Sequence, residues 1–391
     1  QPRVMHEPNQ TIYVPTVTIP QEPVTYAYWA QGNSDPIAAV YDGAILGGMN
    51  EFGVSFACNF VTAKTDLIPT GEGIQRYSIR KLILERARTA REAVELIGEL
   101  IETYGLSESL VAFGIADPYE AWVVETTPRH WVALKVPDDG FHVIANQYTI
   151  TTKWDMASKD LIDYAVKKGW YDPNSRKPFN FKEVYGDNLG DPYNVVREER
   201  VKKMLAPKLG AITREDLIKI VRSHYEGTID YYYPPHDTSQ RRPICVKNTQ
   251  AAMVWHLRND MPVEIGAVMW HAMSSPCTSV FTPIYAGSTK VPEEYLTAGL
   301  EYDPVSAWWA FESLQRVIDE DYDRLHQKVR DVWKQKEEEQ FKETDLIEQA
   351  ALIAYQQGDI LSAQEIVTNY TYNQLRKVAQ IAQNLLRQIV D

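Results

Sequence analysis

Gly47 to Val61 reads GGMNEFGVSFACNFV, and its two halves decide the fold. The first half closes an apolar run begun by Ala44, Ile45 and Leu46. Asn50-Glu51-Phe52-Gly53 interrupts that run, and a second one follows. Two such runs joined by a short loop ending in glycine predict a β-hairpin. Side chains alternate across a strand, so Val54, Phe56, Cys58 and Phe60 are expected on one face, with Ser55, Ala57, Asn59 and Val61 on the other. The bulky row is a core row. Asn59 stands among small neighbours, which leaves room for something to approach it.

Working outward, Gln75 to Arg88 sets Ile79, Leu82, Ile83 and Ala87 on one helical face. Thr89-x-x-Glu92 is a capping box that starts a second helix, and Gly105 is placed to end it. Four strands are expected next: Leu110 to Ile115, Ala121 to Thr126, Trp131 to Val136 and Phe141 to Ile150. Turn residues at Asp117-Pro118 and Pro137 to Gly140 make them an antiparallel meander. On the last strand, His142, Ile144, Asn146 and Tyr148 would share a face. Asp155 to Gly210 is helical in pattern around a loop-rich insertion at Gly169 to Pro192. Its final helix, Asn194 to Leu205, carries Arg197 and Arg200 on one side.

Thr213-x-x-Asp216 caps a further helix, and the aromatic loop Tyr231 to His236 follows it. Ile244 to Val246, Ala251 to Leu257, Ile265 to His271 and Ser279 to Tyr285 read as strands. From about Asp303 the chain is helical and charged. The sequence of hairpin, helices, meander, helices, strands and helices predicts an α+β layered fold. The opening stretch, Gln1 to Pro36, is rich in Pro and Thr and reads as edge strand and loops.

The 391 residues carry a formal charge of −13, which argues against a nucleic-acid partner. No apolar run approaches the roughly 20 residues that span a bilayer. The compartment stays open between cytoplasmic and secreted. Cys58, Cys245 and Cys277 form no framework and no C-x-x-C pair. The eight histidines lack metal-ligand spacing, so no metal is expected. No glycine-rich phosphate loop is present, so no nucleotide cofactor is implied. Cys58 lies in the apolar row, where a thiol behaves as a small hydrophobe. Cys245 reads as a strand core position.

Asn-Glu-x-Gly followed by a strand ending in Asn-Phe resembles the hairpin that floors the active site of N-terminal-nucleophile cysteine hydrolases. HEP (His6 to Pro8), TYAY (Thr25 to Tyr28), ERARTAREAV (Glu85 to Val94) and VIANQYTI (Val143 to Ile150) extend the likeness. GWYDP (Gly169 to Pro173), RPIC (Arg242 to Cys245) and SVFTPIY (Ser279 to Tyr285) complete it. The ordered set resembles the cysteine dipeptidase family that includes the secernins.

That resemblance implies a four-layer αββα sandwich of antiparallel sheets over residues 1–302, with residues 303–391 a helical extension packed on it. It implies a cysteine-type dipeptidase acting through a thioester on small peptides, without metal or organic cofactor. Asn146 would donate its amide N–H to the oxyanion. Asn59 and Phe60, at the end of the hairpin strand, would offer a backbone N–H to the same oxygen. Arg197 would support the nucleophile, with Arg200 one turn away. Phe60, Arg200 and Tyr148 are the expected substrate contacts. The family's nucleophile is an N-terminal cysteine, and no residue here matches it, so it is expected upstream of Gln1. The alternative is an inactive family member with a binding, structural or assembly role. A sheet lacking its first strand would leave an open edge, which favours a homo-oligomer or self-assembly. A third reading, a carbohydrate- or aryl-binding protein, rests on ten Trp, 23 Tyr and ten Phe.

Overall fold

The computed structural model describes residues 1–390 except 15, 33–43, 68, 188, 240–241, 298 and 300. These residues group into two compact units, one ending at Ala211 and one beginning at Ile212. The end of the Pro- and Thr-rich opening stretch, beyond Gly32, lies outside the described residues.

In the first unit, β1 (Val4–Met5), β2 (Thr11–Val14), β3 (Val17–Pro20) and β4 (Val24–Thr25) pair as β1 with β4 and β2 with β3. The main sheet comprises β5 (Tyr28–Gly32), β6 (Ile45–Asn50), β7 (Ser55–Phe60), β8 (Val111–Ala116), β9 (Ala121–Thr126), β10 (Trp131–Val136) and β11 (Met156–Ala157). Its spatial order repeats the chain order, and every neighbouring pair is antiparallel. The expected hairpin is β6–β7. It pairs only at Gly48–Phe56 and Met49–Ser55, while β7 pairs with β8 along its whole length from Ser55 to Phe60.

Gly48 is needed where helix α1 (Arg76–Arg86) crosses β6. A Cβ there would meet the Trp29 carbonyl at 2.5 Å and Leu84 Cδ1 at 2.7 Å. Gly53 turns the hairpin with φ of 78°, a conformation open to glycine. The bulky row holds for Val54 and Phe56, which are buried, but Phe60 is 47% exposed while Val61 is fully buried. Phe60 ends the strand, and beyond that point parity no longer assigns faces.

Asn50 fixes this hairpin to α1. Its amide donates to the carbonyls of Leu84 (3.1 Å) and Ala87 (2.7 Å), and its Oδ1 accepts from the Phe52 and Val54 N–H groups, both at 3.0 Å. The side chain is buried, so its removal strands two carbonyls and two N–H groups. Asn50→Ala is therefore expected to destabilise the first unit by about 2–4 kcal/mol. Urea unfolding measures this; a change below about 0.5 kcal/mol would mean water replaces the amide.

Helix α2 (Ala90–Tyr104) begins where Thr89 Oγ1 accepts the Glu92 N–H at 3.1 Å, and it ends at Gly105 with φ of 73°. The Glu92 carboxylate accepts from Arg88 N–H, closing the cap one residue earlier than the expected box. Val94, Ile97 and Ile101 are fully buried, each contributing about 1.5–3 kcal/mol. Helices α3 (Leu161–Lys167), α4 (Phe181–Tyr185) and α5 (Pro192–Leu205) complete the unit.

Phe141 to Ile150, expected as the last strand of the meander, is not a strand. Side chains, with the Lys182 N–H on the Ile150 carbonyl, take the place of a ladder along its backbone. Asn59 takes the carbonyls of Ile144 and Ala145, Asn194 takes the N–H of Asn146, and Glu125 takes the N–H groups of Thr149 and Ile150.

In the second unit, Thr213 and Asp216 form the expected capping box at the start of α6 (Arg214–Val221). β12 (Ala251–Leu257), the short α7 (Val263–Gly266), β13 (Ala267–Met273) and β14 (Thr282–Tyr285) follow. The strands form an antiparallel sheet with β13 central and buried along its whole length. Ile244 to Val246, expected as a strand, is irregular. Helices α8 (Ala307–Glu320), α9 (Tyr322–Gln356) and α10 (Ile360–Val390) end the described chain. Trp270, Phe281 and Tyr285 of the sheet region share a core with Ala351, Val367 and Tyr370. Met273 and Val280 share another with Leu314, Trp333 and Val378. The division between units at 211/212 thus differs from the expected boundary at 302/303, because the last helices and the second sheet bury each other's apolar faces.

Each unit is an antiparallel sheet clothed by helices, so the protein is α+β. No described helix is long and apolar enough to cross a membrane. Among the largest aromatics, Trp270, Trp333, Tyr148 and Tyr285 are fully buried, which removes them from any open aryl-binding groove. Tyr231, Tyr232 and Tyr233 stay exposed on their loop.

Candidate active site

In the first unit, three stretches meet where β7 ends. The end of β7 brings Asn59 and Phe60. The irregular segment 141–150 brings Asn146. The first turns of α5 bring Asn194 and Arg197. Asp191 caps α5 by accepting the Tyr193 N–H, and Pro192 occupies the first helical turn. Asn194 and Arg197, three residues apart, therefore share a side.

Asn146 Nδ2 donates to the Phe60 carbonyl at 2.8 Å, and its Oδ1 accepts from the Arg197 guanidinium at 2.9 Å. The guanidinium also donates to Asn194 Oδ1 (2.6 Å) and to the Tyr193 carbonyl (2.9 Å). Asn194 Oδ1 accepts the backbone N–H of Asn146 at 3.2 Å. A cation on Oδ1 fixes the amide so that Nδ2, with its two hydrogens, faces the end of β7. Asn59 Nδ2 donates to the carbonyls of Ile144 (2.7 Å) and Ala145 (3.1 Å). The space beside Asn59 is thus filled by the chain's own backbone, and its side chain ties β7 to the segment bearing Asn146. The cluster holds a polarised amide donor beside the half-exposed Phe60, an arrangement suited to a developing oxyanion.

The family model described as Peptidase family C69 matches residues 11–335. The chain belongs to peptidase family C69. This C69 chain is 33% identical over 248 residues to a "Probable dipeptidase" of Salmonella dublin, covering 56% of each protein. It is 28% identical over 288 residues to a "Probable dipeptidase B" of Lactococcus lactis subsp. lactis (strain IL1403), covering 64% of this chain and 59% of that one. It thus spans less than two thirds of the length of these relatives. Among solved structures, a mutant conjugated bile acid hydrolase from Clostridium perfringens matches at 14% identity and a TM-score of 0.39, covering 72% of this chain and 83% of the other. Penicillin V acylase from Agrobacterium tumefaciens matches at 13% and 0.34, covering 69% and 72%.

The remaining expected residues of this C69 chain fall in different places. Arg200 lies one turn beyond Arg197 on α5 and is half-buried; Arg197 is the arginine whose guanidinium meets Asn146 Oδ1. Tyr148, expected at the substrate, is fully buried. Its ring packs on Phe181 and its hydroxyl donates to the Thr126 carbonyl at 2.6 Å, so it is a core residue in this structure. Its alternation with Asn146 fails because the segment is not a strand.

Glu125, on β9, reads in the sequence as an ordinary strand residue. Its carboxylate accepts the Thr149 N–H, the Thr149 hydroxyl and the Ile150 N–H, anchoring the Asn146 segment. Burial pushes its carboxyl up from 4.5 to about 7, against the lowering pull of Thr149, Ile150 and Lys182. Between these values the native chain holds a proton that the unfolded chain has released. Its contribution is therefore fully present below about pH 4.5 and is lost as pH rises through about 7. The stability of wild type relative to Glu125→Gln is expected to fall by roughly 3 kcal/mol over that window. Urea unfolding across a pH series checks this, and a pH-independent difference would defeat it.

The expectation of no metal-ligand set also meets a correction. In the second unit His224, His236, Cys245 and Cys277, all buried, converge so that their ligand atoms lie within 4.8 Å of one another. They come from irregular stretches at uneven spacing, so no sequence pattern marks them. Cys245 is thus a loop residue rather than a strand core position.

Proposed function

We propose that the protein containing this chain hydrolyses small peptides, dipeptides first, by acyl transfer to a cysteine. The amide of Asn146, oriented by Arg197 beside the end of β7 in a C69 chain, is the observation that carries this reading. The relatives' names, "Probable dipeptidase" and "Probable dipeptidase B", support the substrate class. Cys245 and Cys277 are buried with His236 in the second unit, and Cys58 packs against the core of the first. The attacking thiol is taken, from the resemblance to N-terminal-nucleophile cysteine hydrolases, to be that of an N-terminal cysteine, and none of Cys58, Cys245 and Cys277 holds that position.

In this mechanism the thiol passes its proton to the α-amine of the same residue and the sulfur attacks the peptide carbonyl. The carbonyl oxygen becomes an oxyanion, held by Asn146 Nδ2–H and a backbone N–H at Asn59–Phe60. The intermediate collapses as the α-ammonium gives its proton to the leaving amine, and a thioester remains. Water attacks the thioester with the α-amine as base. The acid leaves and the thiol is restored.

The test is to incubate the natural full-length protein with unblocked dipeptides and their N-acetylated counterparts and to measure free amino acids. Release that disappears after thiol alkylation supports the reading. No release from any member of the panel would overturn it in favour of a non-catalytic binding or assembly role.

A further inference from the structure

The buried Cys/His cluster of the second unit calls for an occupant on several independent grounds. The 222–250 stretch contains no helix or strand among its described residues. Irregular stretches longer than about 12–15 residues are uncommon in compact domains, and this one is not merely draped over the surface. His224, His236 and Cys245 all turn inward from it and meet Cys277, which lies on the β13–β14 connection.

The side chains are disposed as ligands. Cys245 Sγ lies 3.7 Å and Cys277 Sγ 3.2 Å from His236 Nε2. These approach the edges of about 3.3–3.8 Å in a tetrahedron with metal–sulfur bonds of about 2.3 Å and metal–nitrogen bonds of about 2.0–2.1 Å. His224 Nε2 is buried without a hydrogen-bond partner, a state that costs free energy unless a ligand fills it. Both imidazoles have their other nitrogen engaged by a carboxylate: His224 Nδ1 with Glu226 Oε1 and His236 Nδ1 with Asp319 Oδ1, each at 2.8 Å. A carboxylate on Nδ1 keeps the proton there and leaves the Nε2 lone pair free for a metal. Gln315, one turn before Asp319 on α8, accepts the Ser275 N–H at 2.9 Å, so one helix steadies both His236 and the approach to Cys277. The cysteines carry free thiols.

We propose that His224, His236, Cys245 and Cys277 bind one zinc ion in a closed, structural Cys2His2 site that pins the 222–250 stretch to the β13–β14 connection. Four protein ligands complete a tetrahedron, so no position is open for substrate or water. Two thiolates and two neutral imidazoles match zinc in softness and geometry. The dication cancels the two thiolate charges, so the filled site is neutral within its buried surroundings. Each thiol loses its proton to solvent as the metal binds, which couples affinity to pH. The site lies in the second unit and is independent of the proposed peptidase chemistry.

The test starts from the full chain, produced in zinc-supplemented medium and dialysed against metal-free buffer. Elemental and native mass spectrometry are expected to find about one zinc per chain, and a strong chelator is expected to remove it and lower Tm. Replacement by cobalt(II) should give the visible bands of a tetrahedral site together with thiolate-to-cobalt charge transfer. Cys277→Ser should weaken that charge transfer, while Cys58→Ser leaves it unchanged. Asp319→Ala should lower zinc affinity about 10–100-fold. If the cysteine variants fail to fold, metal content and cobalt spectrum of the unaltered chain still decide. A chain that retains no zinc, a cobalt spectrum without thiolate bands, or a disulfide joining Cys245 to Cys277 would overturn the proposal.

Discussion

Glu337→Ala is expected to destabilise the second unit by about 3–5 kcal/mol. Glu337 lies on α9 and is almost wholly buried between two arginines. Its Oε2 accepts from Arg222 (3.0 Å) and Arg330 (2.6 Å), and its Oε1 meets Arg222 again and the Phe281 N–H at 2.9 Å. The arginines in turn hold the chain between the strands of the sheet. Arg222 donates to the Pro276 carbonyl at 2.7 Å and to the Ser279 carbonyl at 3.2 Å, and Arg330 donates to Ser279 at 2.9 Å. Burial, with the nearby Arg222 charge, already holds the Arg330 guanidinium below its ordinary value. Removing the one shared carboxylate leaves two adjacent cations without compensation in a poorly hydrated site. Glu337→Gln keeps the shape and separates the charge effect from the packing effect. Replacing Glu337 and both arginines together by methionine should recover much of the loss, since the cations vanish with their partner. Urea unfolding measures each variant; a loss below about 1 kcal/mol for Glu337→Ala would mean that water reaches the arginines.

On the proposed reading, Asn146→Ala is expected to lower kcat for dipeptide hydrolysis by the full-length protein about 10²–10³-fold, roughly 2.7–4 kcal/mol, with much less change in KM. The split follows from charge that develops only in the transition state. Arg197→Ala should show a smaller loss of the same kind, because it frees the amide to rotate without deleting it. Steady-state kinetics on a dipeptide decide the matter. A rise in KM with kcat preserved would make Asn146 a ground-state binding residue, and unchanged kinetics would return it to a purely structural role joining Phe60 to α5.

The parts of the fold that were legible in the sequence are those written in local code. The β6–β7 hairpin, the Val94–Ile97–Ile101 stripe, the caps at Thr89 and Thr213 and the strands β8 to β10 depend on residues a few positions apart. The 141–150 segment alternates like a strand, while its backbone bonds to the side chains of Asn59, Glu125 and Asn194, up to 86 residues away for Ala145 and Asn59. No periodicity encodes that kind of satisfaction. Asn50 read as a turn former, and it is one; its hold on the carbonyls of α1 was beyond sequence reading. The Cys/His cluster was invisible for the same reason, since its members come from separate turns of irregular chain.

In the main sheet, neighbours in space are neighbours in the chain, so most strands can dock as soon as the next is made. Only β7 and β8 must wait for an intervening pair of helices. The second unit has the opposite character. Tyr285 takes its place beside Thr371, 86 residues later, and its core stays open until α10 exists. On a ribosome the first unit therefore closes strand by strand, whereas the second holds its sheet's apolar face exposed until synthesis is nearly finished, and any help from chaperones would be directed there.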